Sequence, residues 1–176
     1  MSNINQSRMI ADIEGEFLVF VIELHVHKLW QFWRWYPVVQ AMTKMLIELL
    51  ENKAYGLLNY EYRFSFNRQF IVMYWRSYEH MHNWALNKEA AHVEGWRMLN
   101  KLMQAQPDLL GFWHESYVVS QYESFYRNVP AVGLGRAGTL VPLKGGMKTG
   151  AGRLREARAK TTLAKDTTWA AAQQAE

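Results

Sequence analysis

The sequence predicts an α+β domain, on three observations. Runs of β-branched and aromatic residues alternate with segments whose apolar residues recur at steps of three or four. Two of the strand-like runs abut at a two-residue turn signal, Asn67-Arg68. Large apolar residues thin out beyond residue 130, which sets one folded body of ordinary domain size.

The elements follow in order. Glu16 to Val26 contains FLVFVIELHV, a β-rich run. Lys28 to Asn52 has helical spacing, with Leu29, Phe32, Trp33, Tyr36, Val39, Met42, Leu46 and Leu49 as its apolar positions. Pro37 lacks an N–H, so this helix either starts near Tyr36 with proline in its first turn or kinks there. Tyr55 to Phe66 and Gln69 to Trp75 are the hairpin strands. In the first, Tyr60, Tyr62, Phe64 and Phe66 share one face, and Glu61, Arg63 and Ser65 the other. Ser77 is placed to cap a helical region over Tyr78 to Gln106, one helix or two, with a break near Asn87 to Ala91. Pro107-Asp108 ends it, and Leu109 to Val119 is the last strand.

The resulting order, β-α-β-β-α-β, is the ferredoxin-like split βαβ arrangement. Two helices on one face of a four-stranded sheet leave the other face bare. The aromatic side of the hairpin is expected to lie there and to be covered by a second copy, giving a homodimeric α/β barrel. Residues 1–16 form an N-terminal extension, 17–130 the barrel domain, and 131–176 a basic, flexible tail. That tail holds eight Lys/Arg against three acidic residues, whereas residues 1–130 hold twelve against thirteen. The body therefore has no nucleic-acid footprint. The tail is rich in Gly, Ala and Thr and cannot fold alone, a short helix around Arg153 to Lys165 excepted.

Cysteine is absent, which removes disulfides, thiolate nucleophiles, zinc fingers and iron–sulfur clusters. The N-terminus has no secretory pattern, and the uncharged run Phe17 to Ile22 is too short to span a bilayer. The expectation is a cytoplasmic protein with neither nucleic acid nor membrane as partner. The aromatic run Trp30 to Trp35 carries one charge, Arg34, and is expected to be core or pocket lining rather than a base-stacking platform.

Two segments bracketing the last helix carry the clearest chemistry: YWRSYEHMHNWALNKEAAHVEGWRMLNK, Tyr74 to Lys101, and GFWHESYVV, Gly111 to Val119. They resemble a family of uncharacterised, monooxygenase-like dimeric α/β-barrel proteins. The matching motifs are Tyr74-Trp75-Arg76-Ser77, His92 with Trp96-Arg97, and Trp113-His114-Glu115-Ser116-Tyr117. Tyr122 to Gly135 is similar to that family's closing segment. More distantly, the same segments resemble the C-terminal half of haem-containing aldoxime dehydratases, which have two repeats where this chain has one domain. That resemblance implies haem, with His92 as its proximal metal ligand, Trp96 beside it, and His114 as distal acid/base. Arg76 would then anchor a substrate carboxylate or a haem propionate.

Three functions are carried forward. The first is a haem-dependent enzyme, an oxygenase or a lyase, acting on a small apolar metabolite. The second is a cofactor-free oxygenase, isomerase or cyclase in which His114, with Arg63 or Glu61, supplies acid–base chemistry within a hydrophobic cavity. The third is a non-catalytic dimeric binding module. Other motifs carry less. Glu23, His25 and His27 share a strand face if the strand stays extended, and two histidines with a carboxylate can hold non-haem iron, although a solvated strand end is the simpler account. His80 and His82 are two apart on a helix and face apart. Gly145-Gly146-Met147-Lys148 lacks P-loop spacing, and Gly133 to Gly138 imitates a dinucleotide fingerprint without the helix that should follow. No serine is spaced to favour a Ser-His-acid triad.

Overall fold

The computed structural model of the protein describes residue 4 and residues 6–159. These divide into two compact units, one of residues 18–117 and one built from both ends of the chain.

In the first unit, β2 (Phe17–Val26) is followed by α1 (Phe32–Glu51), β3 (Leu57–Ser65), β4 (Arg68–Trp75), α2 (Tyr78–Leu86), α3 (Ala91–Ala105) and β5 (Leu110–Val119). The sheet order is β3-β4-β2-β5, the ferredoxin-like order expected from the sequence, and within one chain the sheet stays open. Ser77 caps α2, its Oγ accepting the His80 N–H at 3.3 Å. The helical region breaks between Leu86 and Ala91, as the sequence implied. The hairpin turn is Phe66-Asn67, one residue earlier than Asn67-Arg68. Pro37 lies inside α1, which begins five residues before it and so gives up one backbone hydrogen bond.

Register decides which face is which. Leu18, Phe20, Ile22 and Leu24 of β2 lie opposite Trp75, Met73, Ile71 and Gln69 of β4. The Leu18, Ile22, Met73 and Ile71 side of this pairing packs on Met45, Leu46 and Leu49 of α1. Opposite residues in an antiparallel pair share a face. Tyr60 and Tyr62, opposite Met73 and Ile71, therefore lie on the helix side, and Phe64 with them. The expectation of a bare face made of these rings is corrected: β3 is an edge strand, and Phe64 and Phe66 run past the helices, remaining 67% and 82% exposed. The open face instead carries Val19 and Val21 of β2, Val72, Phe70 and Tyr74 of β4, and Glu61 and Arg63 of β3. Trp113 of β5 joins it, its ring 6.3 Å from that of Phe70.

The aromatic run before and into α1 also departs from expectation. The buried side of α1 is Val38, Ala41, Met45, Leu46 and Leu49. Trp33 and Tyr36 sit on the opposite arc, so they are exposed together with Trp30 and Phe32. Only Trp35 turns inward, donating its indole N–H to the Leu29 carbonyl at 3.2 Å and packing beside Leu24 and Leu109.

In the second unit, β1 (Met9–Asp12) pairs antiparallel with β6 (Thr139–Pro142), Met9 opposite Pro142 and Asp12 opposite Thr139. Between them in sequence comes one helical turn, α4 (Leu134–Ala137). The described parts of residues 1–16 and 131–176 thus contain paired strands. Neither segment buries much alone, but together they bury Met9, Ile10 and Ala11. Side chains of the connecting segment complete the unit, Ser124 Oγ accepting the Ala11 N–H and the Tyr122 hydroxyl accepting the Ile13 N–H, both at 2.8 Å. Gly138 has to be glycine here, since a Cβ would come within 2.4 Å of the Asp12 carbonyl oxygen. Residues 150–159 are helical, and the rest of the expected 153–165 helix lies outside the described residues.

Candidate active site

The helices do not close fully on the sheet. Between them lies a cavity of about 400 Å³, within the usual range for small-molecule sites. The sheet side supplies Phe20, Ile22, Met73 and Phe112, and α1 supplies Val38, Ala41, Met42 and Met45. With Met81 of α2, four methionines line it, giving a soft and adaptable wall. No carboxylate, lysine or arginine is among the lining residues. The polar groups are few: Tyr78 and His82 from α2, His92 from α3, and His114 and Ser116 from β5.

His114 alternates inward on β5, so Glu115 projects to the opposite face. Its ring lies 5.3 Å from Phe20 and 5.9 Å from Phe112. It is exposed to the cavity mouth, and no hydrogen-bond partner holds it among the described residues. Ser116, two residues on, shares its face. Across from them, Tyr78 and His82 are one helical turn apart and stack at 5.5 Å with rings 14° from parallel. Sequence reasoning missed this pair by comparing His82 with His80, when the four-residue step to Tyr78 was the meaningful one.

The other sequence-derived residues divide clearly. Trp96 lines the cavity, edge-on to Phe112 at 5.2 Å. Arg63 and Glu61 form an ion pair of 3.2 Å on the open face, so they cannot assist His114 from across the sheet. Arg76 is exposed beyond the end of β4, its backbone N–H bonded to Gly56, and it is not part of the cavity lining. The Glu23, His25 and His27 triplet does not converge. Glu23 pairs with Arg68 at 3.5 Å, His25 with Asn67 at 2.9 Å, and β2 ends at Val26. Among the described residues no cluster of His, Asp or Glu has the geometry of a metal site.

His92, the haem ligand implied by the resemblance, is engaged by the chain itself. Its Nε2 lies 3.0 Å from the Ala85 carbonyl oxygen, which can only accept, so Nε2 carries and donates the proton. The lone pair is left on Nδ1, which is buried without a partner. The Trp84 ring covers the imidazole at 4.2 Å between centroids. An axial ligand must offer a lone pair to the face of the porphyrin. Nε2 is thus committed to the chain, and His92 ties the start of α3 to the end of α2.

Two tyrosine hydroxyls titrate high for different reasons. Partial burial raises Tyr62, which donates to Gln69. On the open face Tyr117 is raised first by donating to Glu115, then by desolvation and by the Glu115 charge.

The sheet order and the helices packed on it define a ferredoxin-like α+β protein with an apolar cavity between sheet and helices. The sequence model of the Monooxygenase af470-like family matches residues 17–134, more than half of the chain. The chain belongs to that family. No curated protein matches the sequence. Among solved structures, it is similar to a conserved protein of unknown function and possible oxidoreductase from Bacteroides thetaiotaomicron, at 14% identity over 60% of this chain and 99% of that one, TM-score 0.41. It is also similar to SnoaB, a cofactor-independent oxygenase from Streptomyces nogalater, at 12% identity over 61% and 97%, TM-score 0.40. A dimeric ferredoxin-like protein from an uncultured marine organism matches at 12% identity over 62% and 99%, TM-score 0.32.

Proposed function

We propose that this member of a monooxygenase-like family oxygenates a small apolar substrate held in the cavity, with His114 as acid/base. The observation that carries the reading is the state of His114. It is an imidazole on an otherwise apolar wall with no hydrogen bond to the protein among the described residues, so its nitrogens are available to a bound molecule. A neutral imidazole can take a proton from an activated C–H held in the cavity. The resulting carbanion is the reductant. Conversion of a methylene to a carbonyl delivers four electrons to dioxygen, one oxygen entering the product and the other leaving as water, so the balance closes on substrate and dioxygen. Ser116 and the Tyr78–His82 pair supply hydrogen bonds to orient substrate oxygens. Haem is not part of this reading, in which His92 Nε2 stays bonded to the Ala85 carbonyl.

The assembly belongs to the same reading. Val19, Val21, Phe70, Val72 and Trp113 form an apolar sheet face that no helix of the 18–117 unit covers, and a second copy packed on it would complete a two-chain barrel.

Anthrone, a flat ketone with an acidic methylene, is a suitable probe. Dioxygen uptake with anthrone is expected to fall by about 10²–10⁴-fold in His114→Ala. Arg63→Ala should leave it unchanged if the dimer is intact by light scattering. Full uptake by His114→Ala would overturn the assignment.

A further inference from the structure

The cavity lining holds no lysine, arginine or carboxylate, so the molecule that suits it is uncharged: a carboxylate or phosphate would be buried there with no fixed cation to meet it. Two of the polar atoms beside the cavity say more. The indole Nε1 of Trp84 and the imidazole Nδ1 of His92 are each buried and without a hydrogen-bond partner among the described residues. Trp84 is only 7% exposed, and both side chains line the cavity. Their rings lie 4.2 Å apart at 47°, one from the end of α2 and the other from the start of α3, so the two atoms belong to one corner.

The two atoms need opposite partners. An indole N–H only donates. His92 Nε2 is bonded to the Ala85 carbonyl, which leaves Nδ1 as an acceptor. A buried donor or acceptor left unpaired is costly, so a ligand that satisfies both binds better than one that satisfies neither. A hydroxyl is the smallest group that accepts and donates at once, whereas a carbonyl meets only Trp84 and a methyl meets neither. Both atoms are covered as the side chains stand. Met81, a flexible thioether packed on the cluster that holds Trp84, is the part of the wall that yields to admit the group.

We propose that the α2–α3 corner of the cavity is a hydroxyl-binding subsite, Trp84 donating to the ligand oxygen and His92 Nδ1 accepting the ligand O–H. The substrate class is then a neutral molecule with an apolar body and a hydroxyl group. The proposal rests on the cavity being the substrate's site, as read above, and not on the chemistry assigned to His114.

The test is equilibrium dialysis of the full chain against 2-naphthol and against 2-methylnaphthalene, which differ by a hydroxyl and a methyl of nearly equal size. A purely apolar cavity favours the methyl compound, whose transfer out of water is the more favourable. Wild type should instead bind the naphthol about tenfold more tightly, or better. Trp84→Phe keeps a ring and loses the N–H, and should abolish that preference. His114→Ala should keep it. Circular dichroism establishes that each variant is folded. Equal binding of the two compounds by wild type, or preference for the methyl compound, would overturn the proposal whether or not Trp84→Phe folds. A water held permanently between the two nitrogens gives that same result. A preference that survives in folded Trp84→Phe, or that is lost in His114→Ala, would place the hydroxyl elsewhere and overturn the proposal too. Absence of dioxygen uptake with anthrone counts against the oxygenase reading alone and leaves this comparison untouched.

Discussion

Gly95 of α3 is the point where α3 meets α1, and replacing it tests how the roof of the cavity is built. A Cβ at residue 95 would stand 3.0 Å from the Cβ of Ala41, several tenths of an ångström inside ordinary carbon–carbon contact. Both carbons are fixed to helix backbones, so relief requires the helices to move apart. Gly95→Ala gains about 1 kcal/mol of helix propensity. Against it stands overpacking of roughly 1–3 kcal/mol, so the clash outweighs the gain and the variant is expected to be less stable by about 1 kcal/mol. Ala41→Gly should cost about 1–2 kcal/mol, from propensity and one buried methyl. The double variant moves the methyl from one helix to the other and restores the gap. It should be more stable than the sum of the singles by about 1–3 kcal/mol, the energy of the clash that Ala41→Gly relieves. Urea denaturation of the four proteins measures this coupling directly. Additivity within about 0.5 kcal/mol would refute the contact, and with it the idea that glycine here sets the helix spacing.

Other perturbations follow from the same geometry. His92→Ala should leave dioxygen uptake with anthrone within a few-fold of wild type while loosening the α2–α3 corner, seen as faster amide exchange there; a loss matching that of His114→Ala would contradict the structural role. Tyr117 is stabilised in its protonated form by donating to Glu115, so its contribution to stability is present below the ordinary tyrosine range and is lost as pH rises through the raised value. Glu115→Gln should move that tyrosinate transition down in an ultraviolet titration, and an unmoved transition would count against the bond. Truncation after Gly138 removes β6 and leaves Met9 and Ile10 uncovered, a loss of about 3–6 kcal/mol by burial arithmetic. A melting temperature unchanged by that truncation would show that the β1–β6 pairing contributes little.

Local signals were legible because local physics produces them. The β-rich run of β2, the cap at Ser77 and the break before Ala91 each depend on neighbours a few residues away. The facing of Tyr60, Tyr62 and Phe64 did not, because a period of two separates faces without saying which one the helices cover. Trp33 and Tyr36 were misplaced since a ring-rich, charge-poor run has the composition of a core. Arg63 and Glu61 looked like partners for His114 only while their side of the sheet was unassigned. The engagement of His92 by the Ala85 carbonyl, seven residues back, depends on how α2 turns into α3, which no spacing rule encodes.

The pairing of Met9–Asp12 with Thr139–Pro142 bears on the order of events during synthesis. Every strand of the four-stranded sheet has been made once Val119 leaves the ribosome, so the helices can settle on that sheet while later residues are still being added. β1 precedes that sheet in the chain and must wait for its partners, first Tyr122 to Tyr126 and then β6. Tyr126 then exchanges two backbone hydrogen bonds with Met9, so a chain stalled before residue 139 would hold β1 on one side only and leave its β6 side open, a ready target for chaperones or proteases.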